Sequence, residues 1–166
     1  MNFGVGKTTL TIDPLYKFLL YQIVKRNLYS HIACEGNSSS TYTIKKKLHT
    51  NPLFNILSKK IENKIKEVIV DKNLMPHSMW FNVNKKGGKI ILHNHYTVGE
   101  DNKISGVYYL NKPKYSGNIV FHTTEKTLVE VKTNDLVFFD SKLYHETEEN
   151  KSNKDRIVCG FNFLVI

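Results

Sequence analysis

Two histidines, His93 and His95, are the residues of this chain whose types and spacing point most directly to chemistry. They stand two apart in Lys89–Tyr96, a run that is typical of a β-strand, so both imidazoles should project from the same face. Neutral imidazole is a common metal ligand. A third histidine, His145, lies in another strand-like run and is followed by Arg156. The combination predicts a metal centre inside a β-barrel, with a basic residue placed to hold an acid.

The segments that must position these residues follow one another in the second half of the chain. Eight strand-like runs are separated by Gly-, Asn- and Pro-containing turns, a pattern that favours a sandwich or barrel. The predicted strands are Met79–Asn84, Lys89–Tyr96, Ser105–Leu110, Asn118–His122, Thr127–Val131, Asp135–Phe139, Leu143–Glu148 and Arg156–Val165.

The first part of the chain is predicted to be mostly helical. Helix starts are indicated at Asp13-Pro14 and at Asn51-Pro52, each followed by apolar residues at helical spacing. The polar stretch 36–40 between them is typical of a loop. We therefore expect one α+β, mainly β domain over residues 1–166, with a helical part at about 1–75 and a barrel core at about 76–166.

Composition limits the function classes. The chain has 166 residues, 40% of them hydrophobic, which is enough for one domain with a real core. The net charge of +9 is attributed to a general abundance of Lys, and the Lys45–Lys47 run to a solvated loop, so nucleic acid is not an expected partner. Cys34 and Cys159 do not make a disulfide framework, and neither a signal peptide nor a membrane span is indicated, which favours a reducing, cytoplasmic location.

An ordered set of segments runs through residues 76 to 165. These segments are Trp80–Asn84, His93–His95, Ser105–Leu110, Ser116–Phe121, Asp135–Phe139, His145 and Arg156. The set as a whole, rather than any single segment, resembles the 2-oxoglutarate/Fe(II)-dependent oxygenases, and within them the prolyl-hydroxylase-like branch and its members with a His-x-His motif.

The resemblance implies a double-stranded β-helix, or jelly-roll barrel, buttressed by the N-terminal helices. It implies that His93, His95 and His145 bind Fe(II), with His95 at the position that a carboxylate occupies in the family. It also implies that Arg156, assisted by Tyr109, pairs with the far carboxylate of 2-oxoglutarate; an arginine fork suits such a contact.

The implied activity is that of a dioxygenase. Oxidative decarboxylation of 2-oxoglutarate by O2 would be coupled to hydroxylation of a C–H bond, with prolyl residues the substrate expected by analogy alone. The histidine at the carboxylate position departs from the usual two-histidine, one-carboxylate site and leaves a more positive metal.

Two alternatives stay open. Gly87, His93, His95 and Glu100 nearly follow the first motif of the cupins, so a cupin-like or zinc-dependent enzyme on the same barrel would use Glu100 as a ligand, whereas otherwise Glu100 is a solvated turn residue. A non-catalytic binding module on the same scaffold is the other alternative.

Other motifs carry little. The segment Gly4–Thr9 resembles the end of a phosphate-binding loop but lacks the first glycine and a preceding strand. His122 is expected to be structural, and His31, His49 and His77 are assigned to loops.

Overall fold

The computed structural model of the protein describes residues 4–42 and 50–166. Within them are two helices and eleven strands. Their bounds in chain order are β1 Val5–Thr9, α1 Pro14–Lys25, β2 Cys34–Glu35, β3 Ser38–Ser40, α2 Pro52–Lys66, β4 Leu74–Asn84, β5 Lys89–Ile90, β6 Lys103–Asn111, β7 Ile119–His122, β8 Lys126–Val129, β9 Asp135–Asp140, β10 Tyr144–Thr147 and β11 Arg156–Val165.

Two layers of antiparallel strands form the barrel. The larger sheet has the order β1-β9-β6-β11-β4-β3, and the opposite layer consists of β10-β7-β8 and the short pair β2-β5. A single β-bridge between His93 and His145 joins these two smaller sheets. His93 and His145 therefore lie at the junction between the two small sheets of the second layer.

The larger sheet has two buried faces with different contents. Along β11, Ile157, Cys159, Phe161 and Phe163 pack with residues of α1 and α2 in the main apolar core. The intervening positions face the barrel interior, because side chains alternate along a strand. Arg156 and Gly160 belong to this second set.

Both helices begin where the sequence predicts. The side chain of Asp13 accepts hydrogen bonds from two backbone N–H groups of α1, and that of Asn51 accepts one from α2, with a proline following each cap. Capping satisfies donors that the first helical turn leaves free. The helices cover one face of the larger sheet, and the predicted β-rich barrel with buttressing helices is confirmed.

The prediction of a full strand over Lys89–Tyr96 is wrong, since β5 ends at Ile90. Beyond it, the N–H of His95 bonds to the carbonyl of Ser141 in the β9–β10 turn. The chain thus crosses the end of a hairpin, where no continuous ladder can form.

The N-terminal part also contains strands that were not predicted. Gly6 lies in β1, which pairs with β9 along its whole length, so the segment that resembles a phosphate-binding loop is an edge strand. Ser38–Ser40, predicted as part of a loop, pairs with β4, and His77, also assigned to a loop, lies within β4. Pairing partners far away in sequence override the weak local preferences of these segments.

In the described part of the chain, no helix is both long and apolar enough to cross a membrane. The Lys45–Lys47 run and His49, both assigned to loops from the sequence, lie outside the described residues.

Candidate metal centre

Three imidazole rings converge inside the barrel. One ring nitrogen from each of His93, His95 and His145 lies within 4.8 Å of the others, and these are the only three residues of the described chain that form such a cluster. Nitrogens that ligate one ion at roughly 2.1 Å each are at most about 4.2 Å apart. Small rotations of the rings would therefore bring all three to bonding distance.

The backbone fixes two of these rings. His93 and His145 exchange backbone hydrogen bonds of 3.0 and 2.9 Å. The Nδ1 of His93 lies 2.7 Å from the carbonyl of Ile91, and that of His145 lies 3.1 Å from the carbonyl of Leu143. A carbonyl only accepts, so Nδ1 must carry the hydrogen in both rings. This leaves each Nε2 with a free lone pair for a metal.

The surroundings keep the three rings neutral. Burial lowers the pKa of all three rings. The pKa of His93 falls below its usual value, that of His95 falls well below it, and that of His145 falls to about 3. Mutual repulsion between protonated rings lowers the pKa of His95 and His145 further. A metal therefore meets lone pairs rather than protons at neutral pH.

Aromatic rings pack around the histidines. The ring of His95 lies 5.2 Å from that of Trp80, and the ring of His145 lies 4.6 Å from that of Phe139. Trp80 fits its place because Gly160 on β11 has no side chain; a Cβ there would lie 2.4 Å from the indole. These contacts limit the rotation of the His95 and His145 rings.

Arg156 is buried in the same interior with 1% of its surface exposed. Its Nε donates to Asn84, Nη1 to the carbonyls of Ser116 and Glu148, and Nη2 to the hydroxyl of Thr147. Four of its five N–H groups are thus used and one is left. Burial lowers the pKa of Arg156 to about 10, so the group still carries its charge at neutral pH.

No carboxylate within the described ranges pairs with Arg156. A buried charge without a counter-ion is costly. The site therefore favours an anionic ligand that would complete the fifth hydrogen bond and neutralise the guanidinium.

Tyr109 faces the same space. Its hydroxyl is buried, and among the described residues it has no hydrogen-bond partner. Burial raises its pKa, so it remains a protonated donor. Tyr109, Arg156 and the three histidines line one inner cavity together with Asn82.

The inner cavity is narrow, with a volume of about 30 Å³. Trp80, Asn82, His93 and His95 separate it from an outer cavity of about 400 Å³, which is also lined by Tyr42 and Tyr96. The arrangement suits a small acid inside and a larger molecule at the mouth.

Glu100 lies apart from the imidazole cluster. Its carboxylate accepts a 2.6 Å hydrogen bond from Lys103, whose side chain is 2% exposed, and lies 3.3 Å from Nε2 of His77. These contacts lower the pKa of Glu100. It is thus an ion-pair partner at the mouth rather than a free turn residue.

Some residues of the site were not singled out from the sequence. Thr147 and Asn84 accept hydrogen bonds from Arg156 and hold it in place. Gly117, with a φ of +78°, lies so close to Arg156 that a Cβ on it would be 2.9 Å from Nη1. For Thr147 a signal existed, because it stands two residues after His145 and so shares its face. His122, expected to be structural, pairs with Glu146 at 2.8 Å.

Comparison with known families gives one match. A family model described as "Putative 2OG-Fe(II) oxygenase" matches residues 78–162, just over half of the chain. The chain belongs to this family. The matched segment contains the three histidines, Tyr109 and Arg156. Comparison with curated proteins gave no significant match.

Solved structures of oxygenases share the fold of this family member. A prolyl-4-hydroxylase from Pseudomonas putida is similar with a TM-score of 0.66 and 14% identity, covering 98% of this chain and 92% of the other. HygX from Streptomyces hygroscopicus, solved with nickel, 2-oxoglutarate and hygromycin B, is similar with a TM-score of 0.72 and 12% identity, covering 98% of this chain and 83% of the other. The α-ketoglutarate-dependent carbocyclase SnoK from nogalamycin biosynthesis is similar with a TM-score of 0.73 and 14% identity, covering 98% of this chain and 80% of the other. At such identities the likeness establishes the double-stranded β-helix fold.

Proposed function

We propose that this oxygenase is a 2-oxoglutarate-dependent hydroxylase in which His93, His95 and His145 hold Fe(II). Arg156 and Tyr109 would bind the distal carboxylate of 2-oxoglutarate. The iron, when bound, would supply the activation of O2 that couples decarboxylation of 2-oxoglutarate to oxidation of a C–H bond. The chain's own residues would orient the cosubstrate and exclude water.

The observation that carries this proposal is the buried, unpaired guanidinium of Arg156 beside the imidazole cluster. A site for zinc hydrolysis needs an activated water but has no use for a buried cation with one free N–H. A dicarboxylate that chelates the metal at one end and pairs with Arg156 at the other would account for both the imidazole cluster and the buried guanidinium. The unpartnered hydroxyl of Tyr109 supplies a second donor to the same ligand.

The third imidazole changes the charge of the centre. With His95 at the position of the usual carboxylate, the protein contributes three neutral ligands, so the divalent ion keeps its full charge. A chelating carboxylate of 2-oxoglutarate would then meet a more positive metal than in the usual site. This favours binding of the anionic cosubstrate.

The outer cavity would receive the substrate. Prolyl residues of a protein are one candidate, because a prolyl-4-hydroxylase is among the similar structures. HygX, which was solved with hygromycin B, is also among the similar structures, so a small molecule is an equal candidate. We infer a reducing compartment such as the cytoplasm, because Cys34 and Cys159 are both free thiols.

The test is an anaerobic titration of the Fe(II)-loaded protein with 2-oxoglutarate, followed by an aerobic assay for succinate. We expect a visible metal-to-ligand charge-transfer band and succinate formation that needs both Fe(II) and 2-oxoglutarate. Arg156→Ala should weaken 2-oxoglutarate binding by at least about tenfold, the equivalent of about 1.4 kcal/mol. Binding of Fe(II), followed by the fluorescence of Trp80, should remain.

His122→Ala is the matched control, because His122 pairs with Glu146 outside the cluster and should affect neither metal nor cosubstrate. Arg156→Ala leaves buried carbonyls without a donor, so its fold is checked by circular dichroism and Tyr109→Phe serves as a second variant. Metal binding with neither the band nor succinate would contradict the proposal and favour the zinc alternative.

A further inference from the structure

A row of aromatic rings leads from the imidazole cluster to the surface. The ring of Trp80 lies 5.2 Å from that of His95, and the ring of Tyr42 lies 5.5 Å from that of Trp80. His31 continues the row, 5.0 Å from Tyr42. Trp80 is 7% exposed and Tyr42 is 40% exposed, so the row connects the barrel interior with solvent.

The two central members are chemically distinctive. Tryptophan and tyrosine are among the side chains that lose an electron most readily, and Trp80 is the only tryptophan of the chain. The space for its indole is provided by Gly160, where any side chain would collide with it. The fold therefore holds an oxidisable ring directly against a candidate metal ligand.

We propose that Trp80 and Tyr42 form an electron route that reduces the metal site when O2 has been activated and no substrate C–H bond is available. This inference rests on the proposed function, which supplies the oxidant. Electrons pass readily between rings in near contact, and each of the two steps here joins neighbouring rings. The half-exposed phenol of Tyr42 is the point at which a small reductant can replace the electron.

The chemistry balances with a reductant of the ascorbate class. Decarboxylation of 2-oxoglutarate by O2 gives succinate, CO2 and two oxidising equivalents at the metal site. Tyr42 gives up one electron through Trp80 and one proton to solvent, and ascorbate returns both to the tyrosyl radical. Two such rounds convert the remaining oxygen atom to water and ascorbate to dehydroascorbate.

Rapid mixing tests the route. Protein loaded anaerobically with Fe(II) and 2-oxoglutarate is mixed with O2 in the absence of substrate and ascorbate, then frozen for electron paramagnetic resonance. A parallel sample is assayed for succinate, and the Trp80-containing peptide is analysed by mass spectrometry. We expect a tyrosyl radical in the native protein that disappears when ascorbate is included.

Two variants should remove that radical: Tyr42→Phe, which lacks the phenol, and Trp80→Phe, which interrupts the route. In Tyr42→Phe, oxidation should stop at Trp80, so its peptide gains an oxygen atom, and the number of turnovers with ascorbate before inactivation should fall severalfold. Tyr96→Phe is the matched control. Tyr96 lines the same outer cavity and is also 40% exposed, but among the described residues its ring does not contact Trp80.

The outcomes separate the two proposals. Absence of succinate in the native protein would overturn the proposed function. Succinate formation with the same radical in Tyr42→Phe as in native protein, or with no radical and no oxidation of Trp80, would overturn the electron route alone.

Discussion

The hydroxyl of Tyr109 is buried in the barrel without a partner among the described residues. A buried hydroxyl that makes no hydrogen bond weakens the folded state, because it has lost water and gained nothing. Such a cost is reasonable where a ligand completes the hydrogen bond. Removal of the Tyr109 hydroxyl should therefore affect ligand binding without lowering the stability of the fold.

Tyr109→Phe should therefore leave the free energy of unfolding unchanged or raise it by up to about 1 kcal/mol. Removal of the same hydroxyl should weaken 2-oxoglutarate binding about fivefold, the equivalent of about 1 kcal/mol. Chemical denaturation and calorimetric titration with 2-oxoglutarate under anaerobic conditions measure the two effects.

Tyr108→Phe is the control for that variant. Tyr108 neighbours Tyr109 on β6 but faces the helices, and its hydroxyl donates to Asn134 at 3.3 Å. This substitution should cost some stability and leave 2-oxoglutarate affinity unchanged. If both variants weakened binding equally, the hydroxyl of Tyr109 would have no role of its own.

At the residue scale, the sequence predicted which side chains meet but not how they are held. The spacing of His93 and His95 and the presence of His145 and Arg156 indicated a shared interior. The partners of Arg156 come from segments up to 72 residues away and include backbone carbonyls, which no side-chain pattern reveals. The position of Glu100 depended on Lys103 being buried, which a charged residue rarely is.

At the element scale, the close approach of β11 to Trp80 of β4 determines the shape of the site. Gly160→Ala would place a Cβ 2.4 Å from Cε2 of the indole. Overpacking of this kind typically costs about 1–3 kcal/mol. The indole also packs against the ring of His95, so we expect a shifted emission maximum of Trp80 and weaker metal binding.

Denaturation monitored by circular dichroism and by Trp80 fluorescence checks that prediction. Gly4→Ala is the control, since nothing lies within 4 Å of a Cβ placed there. In the double variant Gly160→Ala/Trp80→Phe the two costs should be less than additive, because the smaller ring relieves the collision. Strict additivity would mean that the two residues do not interact.

The elements themselves were predictable to different degrees. The helix starts at Asp13 and Asn51 have local causes, an N-cap followed by proline, and the sequence shows them. The early end of β5 and the pairing of β1 with β9 have non-local causes. In both cases the hydrogen-bond partner lies far along the chain, so the local residue pattern carries little information about it.

At the scale of the whole molecule, the metal would add a link between the two small sheets of the barrel's second layer. His93 follows β5 and His145 lies in β10, and their single bridge links the two small sheets of the second layer. A ligand that binds only the folded protein stabilises it by mass action. An ion held by both residues would in addition act as a cross-link between these sheets.

We therefore expect Ni²⁺, as a redox-inert probe, to raise the free energy of unfolding by about 2.7 kcal/mol at one hundred times its Kd. For a chain of this size that corresponds to a rise in Tm of roughly 5–10 °C. The gain should be absent in His93→Ala and His145→Ala, be retained in His122→Ala, and disappear when EDTA is added. Hydrogen exchange should slow at the backbone N–H groups of His93 and His145, which hold the bridge. Slowing spread evenly over the barrel would show that the ion stabilises the fold without linking the two sheets.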